Sequence, residues 1–172
     1  QPGVIIQEFF GLNDQPRLNI RGSGIQSNPQ RRGVYLLQDG IPVNFADGSY
    51  IIGVMDPMTA HFVEVFKGAN ALNFGASTLG GAINFVSPTA NKQHGANTLV
   101  KVEAGSYGYR AVAASMGYRW QTSDAHISTS YSAQDGHRLY NHNTRWSIAA
   151  NYGLQSPNGH VENRTYLHFT WL

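Results

Sequence analysis

The chain has 172 residues, a formal net charge of +2 from 12 basic and 10 acidic side chains, and no cysteine. The near balance of scattered charges argues against a nucleic-acid-binding surface, and the lack of thiols excludes disulfides and thiolate metal sites. Charged residues are only 13%, well below the usual share of a soluble domain, while 19 glycines and 9 tyrosines point to many turns and to β surface.

No apolar run approaches the roughly 20 residues of a membrane helix. No basic-then-apolar leader stands at Gln1, as expected of a mature, truncated or cytosolic chain. Residues 1–88 read as short strands punctuated by glycine. The predicted strands are Arg17–Arg21, Gly33–Gln38, Phe62–Phe66 and Gly81–Ser87, with a short helical turn over Ala69–Phe74. Between them lie Gly22-Ser23-Gly24, Asp39-Gly40, Asp47-Gly48, Gly68, Gly75 and Gly80-Gly81. Asp39-Gly40 suits a tight turn in which glycine takes positive φ, and Gly80-Gly81 lets one backbone pass close to another surface. A plain turn is the alternative at each. The stretch from Ser87 to Gly95 is polar, turn-rich and without periodicity. A linker is therefore placed at 89–96, between a first domain over 1–88 and a second over 97–172.

Past the linker, five segments alternate with period two. Val100, Val102 and Ala104 oppose Leu99, Lys101 and Glu103. Arg110, Val112, Ala114, Met116, Tyr118 and Trp120 share one face, and Ala111, Ala113, Ser115, Gly117 and Arg119 the other. Ala125, Ile127, Thr129, Tyr131 and Ala133 oppose His126, Ser128, Ser130 and Ser132. Trp146, Ile148, Ala150 and Tyr152 oppose Arg145, Ser147, Ala149 and Asn151. Val161, Thr165, Leu167, Phe169 and Trp171 oppose His160, Glu162, Arg164, Tyr166 and His168. Each segment is about the 9–11 residues that a tilted strand needs to cross a bilayer. Aromatics end the apolar faces, where interfacial girdles fall. Lys101, Glu103, Arg145, Glu162 and Arg164 put too much charge on the other face for a dry core, which suits a wet lumen. Connections at 121–124 and 154–159 are short and that at 134–143 is longer, as in outer-membrane barrels, although 105–108 is short where an outer loop is expected. A soluble β-sandwich also alternates, but its strands average about five or six residues.

Four stretches in order resemble the plug motifs of TonB-dependent outer-membrane receptors. Leu18-Asn19-Ile20-Arg21-Gly22 resembles the "IRG" element, and Val34 to Val43, with Asp39-Gly40 in it, resembles the "vlvDGvp" strand and turn. Val63-Glu64-Val65-Phe66-Lys67-Gly68 resembles "iEVlrGp". Phe74-Gly75 with Thr78-Leu79-Gly80-Gly81-Ala82-Ile83-Asn84-Phe85-Val86 resembles the "yGsgAlGGvIniit" ending. The resemblance implies a mixed α+β plug with a small mixed β-sheet, followed by antiparallel transmembrane β-barrel strands of an incomplete barrel. It makes Arg21, Gly22, Asp39, Gly40, Glu64, Lys67, Gly68, Gly75, Gly80, Gly81 and Asn84 residues of plug architecture. The family barrel has about 22 strands, so five are expected to be a fragment. The family's TonB box and opening plug strand are not seen before Gln1. Lys67 stands where the family usually has Arg, which keeps the charge but loses the bidentate fork.

The resemblance further implies energy-coupled import of a scarce nutrient across the bacterial outer membrane, most readily an iron-siderophore or other metal chelate. The expected partners are that chelate, TonB of the inner-membrane energising complex, and outer-membrane lipid. Loops 24–32 and 45–51 would be the plug apices, with Ser27, Asn28, Arg31, Arg32 and Tyr50 as candidate ligand contacts or else ordinary solvated loop residues. No cofactor is expected. The 7 histidines lack ligand spacing within a defined element and read as polar wall residues. No P-loop, H-E-x-x-H, dinucleotide fingerprint or nucleophile elbow is present, so no enzyme is expected. The rival reading is a soluble β-rich binding or adhesin module.

Overall fold

The computed structural model describes residues 2–7, 17–20, 22, 33–51, 53, 55–75, 80–90, 95–136, 142–156 and 162–171. It divides into two compact units, Gln1–Ser87 and Pro88–Leu172.

In the first unit, β1 (Val4–Gln7) pairs antiparallel with β2 (Arg17–Ile20). A second sheet holds β3 (Val34–Gln38), β4 (Ile41–Pro42), β5 (Phe62–Lys67) and β6 (Gly81–Val86) in the order β4-β3-β6-β5. Its β3–β6 pair is parallel and the others are antiparallel, so the sheet is mixed as expected. Strand β6 is central, and Gly81 to Phe85 are all buried. A strand covered on both faces reads as a nearly continuous small or apolar run, as this one does. Alternate side chains of β3 go to opposite faces. Val34 and Leu36 join Leu18, Ile20, Tyr50, Met55, Ile83 and Phe85 in the main core, while Leu37 packs with Ala71 and Ala82 on the other side. Each fully buried Leu or Ile here contributes about 1.5–3 kcal/mol.

The turn expected over Ala69–Phe74 is a 3₁₀ helix, Gly68–Phe74, without a side-chain cap or an acidic residue in its first turn. No α-helix occurs among the described residues, so the α part of the expected plug is not seen there. Strands β1 and β4 lie outside the predicted elements.

Gly81 illustrates why this unit needs glycine. Its φ is +151°, and a Cβ would collide with the Phe66 carbonyl oxygen on the paired strand. We expect Gly81→Ala to destabilise this unit by about 2 kcal/mol or more, through backbone strain and separation of β5 from β6. A urea titration of the full-length receptor, followed by a probe in this unit, checks it.

The second unit is a meander of five antiparallel strands, β7 (Gly95–Ala104), β8 (Arg110–Arg119), β9 (Ser123–Gln134), β10 (Asn143–Gln155) and β11 (Glu162–Trp171), in sequential order. They have 10, 10, 12, 13 and 10 residues. Ten residues tilted at about 45° rise some 24 Å, close to the roughly 25 Å apolar band of an outer-membrane barrel. The sheet is open, ending in β7 on one side and β11 on the other. No helix among the described residues is long and apolar enough to cross a membrane.

The alternation has an inverted sense. On β9, Asp124, His126, Ser128, Ser130 and Ser132 are buried, while Ile127, Thr129 and Tyr131 are exposed. Strand β8 buries Ala111, Ala113 and Gly117 and exposes Val112, Ala114, Met116 and Tyr118. Strand β10 buries Arg145, Ser147 and Asn151 and exposes Trp146 and Tyr152. Along β11, Leu167, Phe169 and Trp171 are exposed. In water, so large a contiguous apolar surface is a liability of about 25 cal/mol per Å². Against hydrocarbon it costs nothing, and the buried serines and charges are then the side that meets polar surroundings.

Candidate functional site

Two polar constellations stand out, one in each unit. In the first, the Asp39-Gly40 turn is tied to the end of β6. Both turn residues have positive φ, +52° and +81°, the geometry of a type I′ hairpin turn joining β3 to β4. The Asp39 carboxylate accepts from Ser87 N–H at 2.7 Å and from Ser87 Oγ–H at 2.6 Å. Asp39 N–H donates to Phe85 O at 3.0 Å, and Gly40 N–H donates to Asn84 Oδ1 at 2.9 Å. Asn84 Nδ2 then donates to Glu64 Oε2 on β5 at 2.9 Å. The turn, the central strand and β5 thus form one hydrogen-bonded set across residues distant in sequence. Hydrogen bonds to a charged acceptor are worth about 1.5–3 kcal/mol. Asp39→Ala, which removes both Ser87 bonds, is expected to lower the stability of this unit by about 2–3 kcal/mol in the same urea assay.

The second constellation spans three strands of the sheet. Register places Asp124 on β9, Gly153 on β10 and Arg164 on β11 in one row. Arg164 Nη1 donates to Asp124 Oδ2 at 2.8 Å and Nη2 to Oδ1 at 2.7 Å, a bidentate pair with side chains only 9% and 6% exposed. Arg164 Nη1 also donates to Asn151 Oδ1 at 2.8 Å, and Nε and Nη2 donate to Glu162 Oε1 at 3.0 and 2.8 Å. The pair bridges two strand spacings because Gly153 has no side chain. A Cβ there would lie 2.5 Å from Arg164 Nη2 and 2.6 Å from Asp124 Oδ1. Asn151 Nδ2 donates onward to Pro88 O at 2.9 Å.

The apolar face carries aromatics toward both ends of the strands. Trp146 pairs across strands with Tyr131 and with Trp171, and Phe169 stacks with Trp171 at 6.1 Å. Toward the opposite ends are Tyr152 and the edge-to-face pair Tyr118–Trp120, 4.8 Å apart. Trp146 and Tyr152 are six residues apart on β10, about 20 Å along the strand, as two interfacial belts require.

Of the residues singled out from sequence, the structure brings together Asp39, Gly40, Glu64 and Asn84, and adds Ser87, which the motifs did not mark. Gly22 lies in a turn, its N–H donating to Asn19 Oδ1 at 2.8 Å. Gly68 and Gly75 bound the 3₁₀ helix, and Gly80 N–H donates to Gly33 O at 2.9 Å. Lys67 Nζ donates to the Pro2 carbonyl at 2.7 Å. Tyr50 is a correction to the ligand-contact reading. It is 3% exposed within the main core, its hydroxyl directed at Leu18 O, so the ring packs inside the unit instead of facing an apical ligand. Arg21, Ser27, Asn28, Arg31 and Arg32 lie outside the described residues. Among the described residues, no group of three His, Asp or Glu side chains is placed to hold a metal ion.

Asp124 and Asn151 were not marked as site residues from sequence. Their partners are 40 and 13 residues away on β11, and only the strand register shows the meeting.

A small mixed sheet is thus followed in the chain by an antiparallel meander with one exposed, apolar face. The family model of the TonB-dependent receptor plug domain matches residues 1–82. Solved structures share the fold. The copper transporter OprC superposes with a TM-score of 0.75 at 15% identity, over 98% of this chain and 26% of that one. The FrpB iron transporter from Neisseria meningitidis (F3-3 variant) gives 0.73 at 18% identity, over 99% and 27%. The pyoverdine outer membrane receptor FpvA from Pseudomonas aeruginosa PAO1, bound to pyoverdine, gives 0.69 at 16% identity, over 98% and 23%. Residues 1–82 thus carry a plug domain of the TonB-dependent receptor type. The chain spans about a quarter of the length of the solved receptors that it matches.

Proposed function

We propose that this chain is the plug and first wall strands of a receptor that imports a scarce, bulky nutrient, most readily an iron-siderophore or another metal chelate, by energy-coupled movement of the plug. The observation that carries the reading is the inverted sheet, with buried serines and charges opposite exposed Trp146, Tyr152, Phe169 and Trp171, following a plug domain. The plug occupies 1–88 and a linker begins at 89, but the linker's expected end at 96 moves to 94 because β7 opens the wall at Gly95. Ser27, Asn28, Arg31 and Arg32 are the ligand contacts that this reading assigns, since two arginines suit an anionic chelate. The energising partner is TonB, and the apolar face is lined by lipid. Solved receptors of the same fold named for copper, iron and pyoverdine support a metal or metal chelate as cargo.

The test uses the full-length receptor. Equilibrium binding to a panel of ferric siderophores, copper chelates and haem is measured first, then uptake of the tightest ligand in cells with and without TonB. The reading requires sub-micromolar binding of at least one chelate and uptake that disappears without TonB. A receptor that binds none of them, or whose ligand enters equally without TonB, contradicts it. The soluble-module alternative requires a receptor that stays monomeric without detergent.

A further inference from the structure

The start of the second unit is held to the wall more firmly than a connecting segment needs to be. Asn151 is buried, and its amide is fixed at both ends. Its oxygen accepts from Arg164 Nη1 at 2.8 Å, and its nitrogen donates to Pro88 O at 2.9 Å. Arg164 is itself locked by Asp124 and Glu162, so the donor aimed at Pro88 cannot swing away without breaking that set. Two residues on, Ala90 is 3% exposed and lies against Gly117. A Cβ at 117 would come within 3.1 Å of Ala90 Cβ and 2.9 Å of His126 Cδ2, so the missing side chain leaves the seat that Ala90 occupies. Just before Pro88, Ser87 closes the first unit with two hydrogen bonds to Asp39. Adjacent residues are therefore each fastened to their own unit.

We propose that Asn151 and Gly117 form a wall-side anchor for the C-terminal tether of the plug, so that a pull on the plug rearranges it locally instead of drawing it whole along the bore. Releasing the anchor frees the seven peptide units from Pro88 to Gly95, which reach at most about 25 Å, enough slack for bodily travel of the plug. Asn151 and Gly117 are positioning residues: they touch no cargo and act through Pro88 and Ala90. The proposal rests on the receptor reading above, but its structural half is measurable without transport.

A nitroxide on Thr89→Cys, between the two anchored residues, reports the tether in the full-length receptor in liposomes. Two variants loosen it by different routes. Asn151→Asp keeps the acceptor for Arg164 and removes the donor to Pro88. Gly117→Ala fills the seat of Ala90 and leaves the ion-pair set alone. In both, the label is expected to become about threefold or more faster in rotation. Chelate affinity should stay within about twofold while TonB-dependent uptake falls about fivefold, because only the moving step has changed. A label equally immobile in both variants overturns the anchor. A freed label with unchanged uptake overturns its role in movement. If the wild type shows no TonB-dependent uptake, the receptor reading fails, and label mobility still decides whether the anchor exists.

Discussion

Arg164→Met is expected to cost the wall about 3–5 kcal/mol, the usual price of leaving one member of a buried ion pair without its partner. Asp124 is 6% exposed at its side chain and accepts from both Nη atoms of Arg164, so its charge has little water to turn to once Arg164 is gone. Glu162, at 40%, is exposed enough to be resolvated and adds less. The double variant Asp124→Leu/Arg164→Met is expected to recover most of the loss, since an apolar pair of similar volume leaves no orphaned charge. Arg164→Lys should fall between, because an ammonium cannot make the two parallel bonds. Gly153→Ala should resemble Arg164→Met, since the added methyl stands where the guanidinium meets the carboxylate. Urea unfolding of the full-length receptor in liposomes, run as a double-mutant cycle, measures the coupling. A coupling below about 0.5 kcal/mol would show that the pair is ornamental.

Met116→Arg should destabilise the wall by about 2–4 kcal/mol, the depth-dependent cost of a cation on the lipid face of a barrel near the midplane. Met116 is 60% exposed, near the middle of β8 and paired with Ile127. On a soluble protein, a substitution at so open a position usually changes stability by no more than about 0.5 kcal/mol. The prediction therefore separates a hydrocarbon-facing sheet from a water-facing one by several times the error of the measurement. Ser115→Arg, one residue earlier and on the opposite face, is the internal control and should cost about 1 kcal/mol or less.

The long strands were legible because their two faces meet two different environments, so every second residue obeys one rule. The sense of the alternation was legible too, since Lys101, Arg145, Glu162 and Arg164 on the small-residue face argued for a wet side. What could not be read is what depends on register. Asp124 meets Arg164 across an intervening strand, and nothing local to either marks the other. Ser87 read as the last residue of a strand with turn-rich sequence after it, yet it is bound by Asp39 48 residues earlier. Strands β1 and β4, of four and two residues, carry too few positions for a period and exist because β2 and β3 offer them partners. Tyr50 sits after Asp47-Gly48-Ser49 and reads as a loop tip. Its ring turns inward to join Leu18 and Ile20, a tertiary choice that composition does not announce.

The central claim is that apolar side chains of the second unit face hydrocarbon and the residues between them do not. A nitroxide scan along β9, one label at a time from His126 to Ser132 in the full-length receptor in liposomes, tests it most directly. Collisions with oxygen, which partitions into lipid, should be frequent at 127, 129 and 131 and rare at 126, 128, 130 and 132. A flat profile, or odd positions reached instead by a water-soluble nickel complex, would contradict the claim.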